Sequence, residues 1–250
     1  MEIIVIANLK GGAGKTSTAA ALWYWLNQHG KPALGIDLDS QANFTYTAKA
    51  TVQDNIMDIL QGADINTAIQ ETAGGDIIPA SYSLNSADIT LTGKGKALAL
   101  KKALAKLSKH YDYVVIDTEP HIGLLTINAL TAAHKVIIPT QADIFSLQGI
   151  SQLWRNIQDI KRMGANSSLS VDGILITRYS NRATLSKEIK ESLESIAYKM
   201  GTRLYKTTIR ESVSVKEAQI GQKSLFSITP KSKAAQDYEA FIAEVLQDNQ

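Results

Sequence analysis

The run Leu9-Lys10-Gly11-Gly12-Ala13-Gly14-Lys15-Thr16-Ser17 gathers two lysines, three glycines and two hydroxyls directly after the apolar stretch Ile3-Ile4-Val5-Ile6-Ala7. Glycines let successive backbone N–H groups converge on the oxygens of an anion. The Lys15 ammonium reaches the β and γ phosphates of a bound nucleotide, the Thr16 hydroxyl ligates Mg²⁺, and the helix that opens here adds its positive dipole end. The pattern predicts binding of a nucleoside triphosphate. Its departure is informative: Leu9 stands where G-x-x-x-x-G-K-[ST] has its first glycine, and a second lysine, Lys10, follows. The loop already embraces its own phosphates, so Lys10 is poorly placed to add to them. A twofold partner would bring it onto the other subunit's nucleotide.

Two further carboxylate groups belong to the same chemistry. In Gly35-Ile36-Asp37-Leu38-Asp39-Ser40-Gln41-Ala42-Asn43 the aspartates at i and i+2 close a strand and point to one side, toward the crevice where open α/β sheets bind ligands. One can organise Mg²⁺ waters and the other can orient an attacking water. Tyr111-Asp112-Tyr113-Val114-Val115-Ile116-Asp117 is an apolar strand ending in a carboxylate, which places Asp117 in the Mg²⁺ shell opposite Thr16. Glu119 reads as a departure in a switch loop and His121 as a loop residue, neither with a catalytic role. His29, His110, His121 and His134 have neither metal spacing nor a nucleophile to serve and read as structural, while Trp23, Tyr24 and Trp25 read as core packing.

The elements that must carry these groups alternate along the chain. Strand-like runs at 2–8, 33–37, 76–79, 112–117, 135–139 and 171–176 are interleaved with helical patterns at 16–29, 96–109, 122–133, 146–163, 184–200 and 231–247. This predicts an α/β fold, a mainly parallel twisted sheet with helices on both faces, and several runs are rich enough in Val and Ile to be buried on both sides. Residues 1–250 are expected to form one domain, since a second would be cramped. Without cysteine there is no disulfide, thiolate metal site or iron–sulfur cluster. The first strand starts at once, leaving no room for a signal peptide, and no apolar run approaches the ~20 residues of a membrane span. A soluble cytoplasmic protein is expected.

The net charge is only +2, but its distribution is uneven. Every arginine lies after residue 125, and from Arg178 to Lys233 there are twelve Lys/Arg against five Asp/Glu. One reading is a solvated face with helix pairs such as Lys187–Glu191. The other is an anionic partner, most simply DNA phosphates.

The motifs KGGAGKTS, DLDSQAN, YDYVVIDTEP and GLLTINALTAAHKVIIPTQADIFSLQGISQL, continuing through Arg182, Glu217-Ala218 and Pro230-Lys231-Ser232, resemble the ParA/Soj partition ATPases of the deviant-Walker group that also contains MinD. The resemblance runs almost end to end. It implies ATP and Mg²⁺ as cofactors and an ATP-dependent sandwich homodimer that binds DNA non-specifically on the nucleoid. A ParB-type adaptor would stimulate slow hydrolysis and release the ATPase from DNA. By position, Lys10, Gly11, Gly12, Ala13, Gly14, Lys15, Thr16 and Ser17 would wrap the nucleotide, with Lys10 crossing to the partner's phosphates. Asp39 would position the water, and Thr16, Asp37 and Asp117 would form the magnesium shell. Arg182 falls on a basic DNA-contacting position. A later family arginine aligns with Ser214, so DNA affinity would be rebuilt from Arg210, Lys216, Lys223, Lys231 and Lys233.

Other departures touch the switch segments: Ser40 and Ala42 replace the proline and glycine of DxDPQGN, and Glu119-Pro120 replaces a double proline. The absences choose among relatives. Lack of cysteine excludes the nitrogenase iron protein and the iron–sulfur scaffold ATPases as models. No Lys or Arg follows Lys233, unlike the basic membrane helix of MinD. The tyrosine cluster of related kinases is missing. About eight residues precede the loop, so no helix-turn-helix domain is expected. The alternatives are a cargo-positioning ATPase for a protein assembly, or a nucleotide-gated switch with little turnover.

Overall fold

The computed structural model describes residues 1–93, 95–179 and 185–247, the side chains of 185–187 aside. Eight strands form one sheet: β1 (Glu2–Ile6), β2 (Ala33–Leu38), β3 (Gln70–Thr72), β4 (Gly75–Ile78), β5 (Tyr113–Thr118), β6 (Lys135–Thr140), β7 (Ser170–Tyr179) and β8 (Arg203–Arg210). Their order is β3-β4-β2-β5-β1-β6-β7-β8, parallel throughout except for the antiparallel edge pair β3 and β4.

Helices α1 (Lys15–Gln28), α2 (Asn43–Thr47), α3 (Ile56–Gln61), α4 (Ala87–Thr90), α5 (Ala99–Leu104) and α6 (Leu124–Ala132) lie in the first part of the chain. They are followed by α7 (Ile144–Arg162), α8 (Leu185–Lys199), α9 (Val213–Ile220), α10 (Leu225–Ile228) and α11 (Lys233–Gln247). Successive side chains of a strand face opposite sides of the sheet. Ile3 and Val5 accordingly join the apolar layer that includes Leu125, Ile150 and Ile157, whereas Ile4 and Ile6 join the layer that includes Trp23, Phe44 and Phe241. Two cores thus sandwich the sheet and hold the strand ends in place.

The mainly parallel sheet covered on both faces is the expected architecture. Two strands were not anticipated. β3 is three residues long, and β8 is an edge strand whose sequence Arg-Leu-Tyr-Lys-Thr-Thr-Ile-Arg has too many polar positions to read as an apolar run. The helix expected at 96–109 shortens to α5 after a 3₁₀ turn at Lys96–Leu98. Trp23 and Tyr24 are buried as expected, but Trp25 is half-buried and stacks on His29 with ring centroids 3.9 Å apart. His134 is structural, its Nδ1 accepting the Ile3 N–H at 2.9 Å.

Two helix starts matter for function. α1 begins after Gly14, whose φ of 85° is left-handed; no side chain caps the helix, and its first turn carries no acidic residue. Its free N–H groups and dipole end are therefore left for an anion. α2 begins after Ala42, which takes φ 51°, a left-handed conformation. A Cβ in this region costs about 1–2 kcal/mol. Ala42→Gly is expected to raise the unfolding free energy by about 0.5–1 kcal/mol, the gain in strain partly offset by glycine's unfolded-state entropy. Urea denaturation checks this, and an unchanged or lower value would mean that the loop relaxes around Ala42.

Candidate active site

At the carboxyl ends of β1, β2, β5 and β7 a cavity of about 500 Å³ is lined by Gly11 through Ser17, Asp39, Asn43, Tyr46, Pro120, Thr177, Arg178, Ile209 through Ser212, Lys216 and Tyr238, among others. The glycine-rich loop is braced from its neighbours. Asn8 donates through Nδ2 to the Pro139 carbonyl at 2.6 Å and accepts the Lys10 N–H at 3.0 Å. Gln141 Nε2 donates to the Gly12 carbonyl and Thr177 Oγ1 to the Ala13 carbonyl, each at 2.8 Å. Any Cβ on Gly14 would lie 3.4 Å from three atoms of the Thr177 side chain, at a backbone angle that already disfavours one. The Lys15 ammonium folds back over the loop and donates to the Lys10 carbonyl at 3.3 Å.

Beneath the loop, negative charge is concentrated. Asp37 and Asp117 are register partners on β2 and β5, and both are fully buried. Asp37 accepts from the Asp39 N–H at 3.0 Å and from the Thr45 N–H and Oγ1–H at 2.8 Å each. Neither carboxylate oxygen of Asp117 has a hydrogen-bond partner among the described residues. Burial first, and Asp37 next, push the Asp117 carboxyl well above its usual range; Thr16 and Lys15 oppose this without satisfying it. Burial likewise pushes Asp37 up to about 6, against the donors from Thr45 and Asp39. Lys15 is drawn below the ordinary lysine value by burial, countered by Asp117, Asp39 and Glu119. A single ammonium thus faces several carboxylates. The orphaned Asp117 oxygens and the Thr16 hydroxyl fit a hard divalent cation that takes its remaining ligands from phosphate and water.

The expected residues sort as follows. Gly11 through Ser17 and Asp39 line the cavity, with Asp39 Oδ1 tied to the Gln41 N–H at 2.9 Å and the Ser17 hydroxyl accepting from Gln219 Nε2 at 3.1 Å. Lys10, expected to serve a partner's nucleotide and not its own, is absent from the cavity wall, and its ammonium pairs with Asp143, the residue that caps α7 by accepting the Ser146 N–H. Asp37, expected in the crevice beside Asp39 and in the magnesium shell, is absent from the cavity wall; its Oδ1 accepts the Asp39 N–H and its Oδ2 holds Thr45, which fixes the start of α2. Arg210 lines the cavity and is exposed, with Nε and Nη2 donating to Asp237 at 2.6 and 2.7 Å. Lys216 lines the cavity mouth and is exposed, as are Lys223, Lys231 and Lys233. Arg182 lies outside the described residues.

Sequence reasoning gave Glu119 no role and singled out none of Asp143, Arg178, Glu211 and Thr177. Burial pushes Glu119 up to about 7, and His121 Nδ1, 3.2 Å from its Oε1, pulls the other way. The position of Thr177 at the end of a strand was the one available signal, since strand ends in open α/β sheets face the ligand.

Two stability effects are expected. Asp117→Asn keeps the shape and removes an unpaired buried charge, so in EDTA at pH 8 its unfolding midpoint should exceed the native value by about 2–4 °C or more. A lower midpoint would contradict the orphaned charge. The folded value of about 6 for Asp37 lies above the unfolded value of about 3.9. Between these the folded chain holds a proton that the unfolded chain has lost, so the contribution is complete below about pH 4 and is lost as pH rises through about 6. Thermal unfolding in EDTA across that window should show it.

Comparison with known proteins agrees with this geometry. A family model described as an AAA domain matches residues 1–171. Sporulation initiation inhibitor protein Soj of Bacillus subtilis is 36% identical over 251 residues, 98% of each chain. Chromosome-partitioning ATPase Soj of Thermus thermophilus is 33% identical over 97% of this chain and 94% of its own. Among solved structures, cobyrinic acid a,c-diamide synthase of Mycobacterium smegmatis, with a bound ATP analogue and magnesium, superposes with a TM-score of 0.84 at 30% identity, covering 99% and 95%. A plasmid partition protein of Borrelia burgdorferi gives 0.79 at 25% identity, covering 99% and 98%. The cofactors of this site are ATP and Mg²⁺, and the chemistry is ATP hydrolysis. Phosphate loop, sheet and relatives of nearly the same length agree: the chain belongs to the Soj/ParA family of ATPases.

Proposed function

We propose that this partition ATPase works as a single domain that closes into a homodimer around ATP, binds DNA without sequence preference in that state, and is released after hydrolysis stimulated by a ParB-type adaptor. The observation that carries the reading is the position of Lys10. It sits in the phosphate loop, yet its ammonium turns away from its own cavity to Asp143. A lysine so placed is available to a second copy once that ion pair opens. Ile144 and Phe145, beside Asp143 at the start of α7, are 67% and 73% exposed, an apolar surface that a partner copy would cover.

In this reading Lys15 binds the phosphates in cis and Lys10 in trans, and Asp39, with Oδ2 free of any described partner, orients the attacking water. Asp37 fixes the loop that carries Asp39. Mg²⁺, held through Thr16 and Asp117, supplies positive charge to the phosphates when bound. The exposed Lys216, Lys223, Lys231 and Lys233, together with Arg182, are the proposed DNA contacts, and nucleoid association follows from them. Among the described residues no helix is long and apolar enough to cross a membrane.

Lys10→Ala is expected to bind ATP as the native protein does but to form no ATP-dependent dimer, as read by light scattering. Normal dimers would sink the role in trans. Asp39→Ala should lower turnover about 100-fold or more while keeping ATP-dependent dimers and DNA binding, and native turnover would refute its role. Binding to a random duplex should need the triphosphate and should weaken by orders of magnitude between about 50 and 200 mM salt. Absence of DNA binding with every nucleotide would remove DNA from the account.

A further inference from the structure

Arg178, next to last in β7, takes φ 52°, a left-handed conformation rare for a long side chain. Such strain persists only where the surroundings hold it, and it gathers at ligand clamps. Arg178 Nη2 donates to Glu211 Oε1 at 2.7 Å, and Nη1 lies 3.8 Å from the point where a side chain on Gly12 would begin. Both residues line the cavity that contains the phosphate loop. Their side chains are 48% and 54% exposed, and an ion pair so open to water adds little stability. The pair alone therefore gives no return for the strained backbone.

The donor and acceptor inventory shows what else the pair can do. A guanidinium has five N–H donors in a rigid fork. One nitrogen serves Glu211, while the other stands over the loop glycine that faces phosphate. Glu211 offers a second oxygen with no described donor, and the arginine holds its carboxyl below the usual range, hence ionised. Going outward from the phosphate loop, a nucleotide presents phosphate oxygens, which only accept, and then the sugar hydroxyls, which donate. Glu211 lies beyond the guanidinium from Gly12, on the β8 side of the same cavity, and so offers an acceptor outside the donors of the phosphate loop.

We propose that Arg178 and Glu211 form a two-pronged grip on the nucleotide, Arg178 Nη1 on a phosphate oxygen and Glu211 Oε2 on the ribose hydroxyls, so that the pair makes the site selective for ribonucleotides. The ion pair sets the spacing of the two prongs. The proposal rests on ATP binding at this cavity and on neither dimerisation nor DNA.

Calorimetric titration of the full chain with Mg²⁺·ADP and with Mg²⁺·2′,3′-dideoxy-ADP tests it without DNA or turnover. The native protein should prefer ADP by about 10-fold, the size of one charge-assisted hydrogen bond. Glu211→Ala should abolish that preference, so that this variant binds ADP and dideoxy-ADP equally, while Glu211→Gln, which keeps an acceptor, should retain part of it. Arg178→Met should weaken both ligands about 10-fold. A native protein with no preference, a preference that survives in Glu211→Ala, or native affinities in Arg178→Met would each overturn the grip.

Discussion

The structure depends on one electrostatic constraint. Two carboxylates, Asp37 and Asp117, are buried side by side at the ends of neighbouring strands, and one of them has no hydrogen-bond donor among the described residues. Removing a charge from water costs several kcal/mol even after relaxation, and a single buried lysine cannot neutralise the pair while also serving Asp39 and Glu119. The site is a place prepared for cations. A triphosphate adds more negative charge, so the requirement grows when ATP binds. In the proposed function three sources would meet it: Lys15 from the loop itself, Mg²⁺ through Thr16 and Asp117, and Lys10 of a second copy.

The surrounding architecture reads as support for this arrangement. Asn8, Gln141 and Thr177 tie the phosphate loop to β6 and β7, so its carbonyls are held and its N–H groups remain for phosphate. Asp37 holds Thr45 and thereby the start of α2, which links the switch aspartates to the aromatic layer of Trp23 and Phe44. Asp143 both caps α7 and retains Lys10, so opening that ion pair would disturb the surface around Ile144 and Phe145.

Much of this was legible in the residues, for physical reasons. The phosphate loop is contiguous, so its chemistry is local and its spacing is readable; the apolar runs of β1, β2, β5 and β6 are buried on both faces and stand out from the polar background. β8 escaped because an edge strand needs only part of its residues buried, and Arg203, Lys206 and Arg210 break its pattern. Asp37 and Asp39 look equivalent at i and i+2, but the chain turns after Leu38, and Thr45, eight residues beyond Asp37, captures it. The pairing of Arg210 with Asp237 escaped because the two lie 27 residues apart. Side chains joined across the fold, Lys10 with Asp143 and Arg178 with Glu211, carry no local signal at all.

The central claim, that the cations of one site are shared between two copies, is tested most directly by mixing two defective chains. Lys10→Ala retains its own phosphate-loop lysine, and Lys15→Ala retains the lysine offered in trans, so a mixed dimer contains one complete site. The account predicts that each variant alone hydrolyses almost no ATP and that an equimolar mixture recovers a substantial part of the native rate. A mixture no more active than the sum of its components would contradict it.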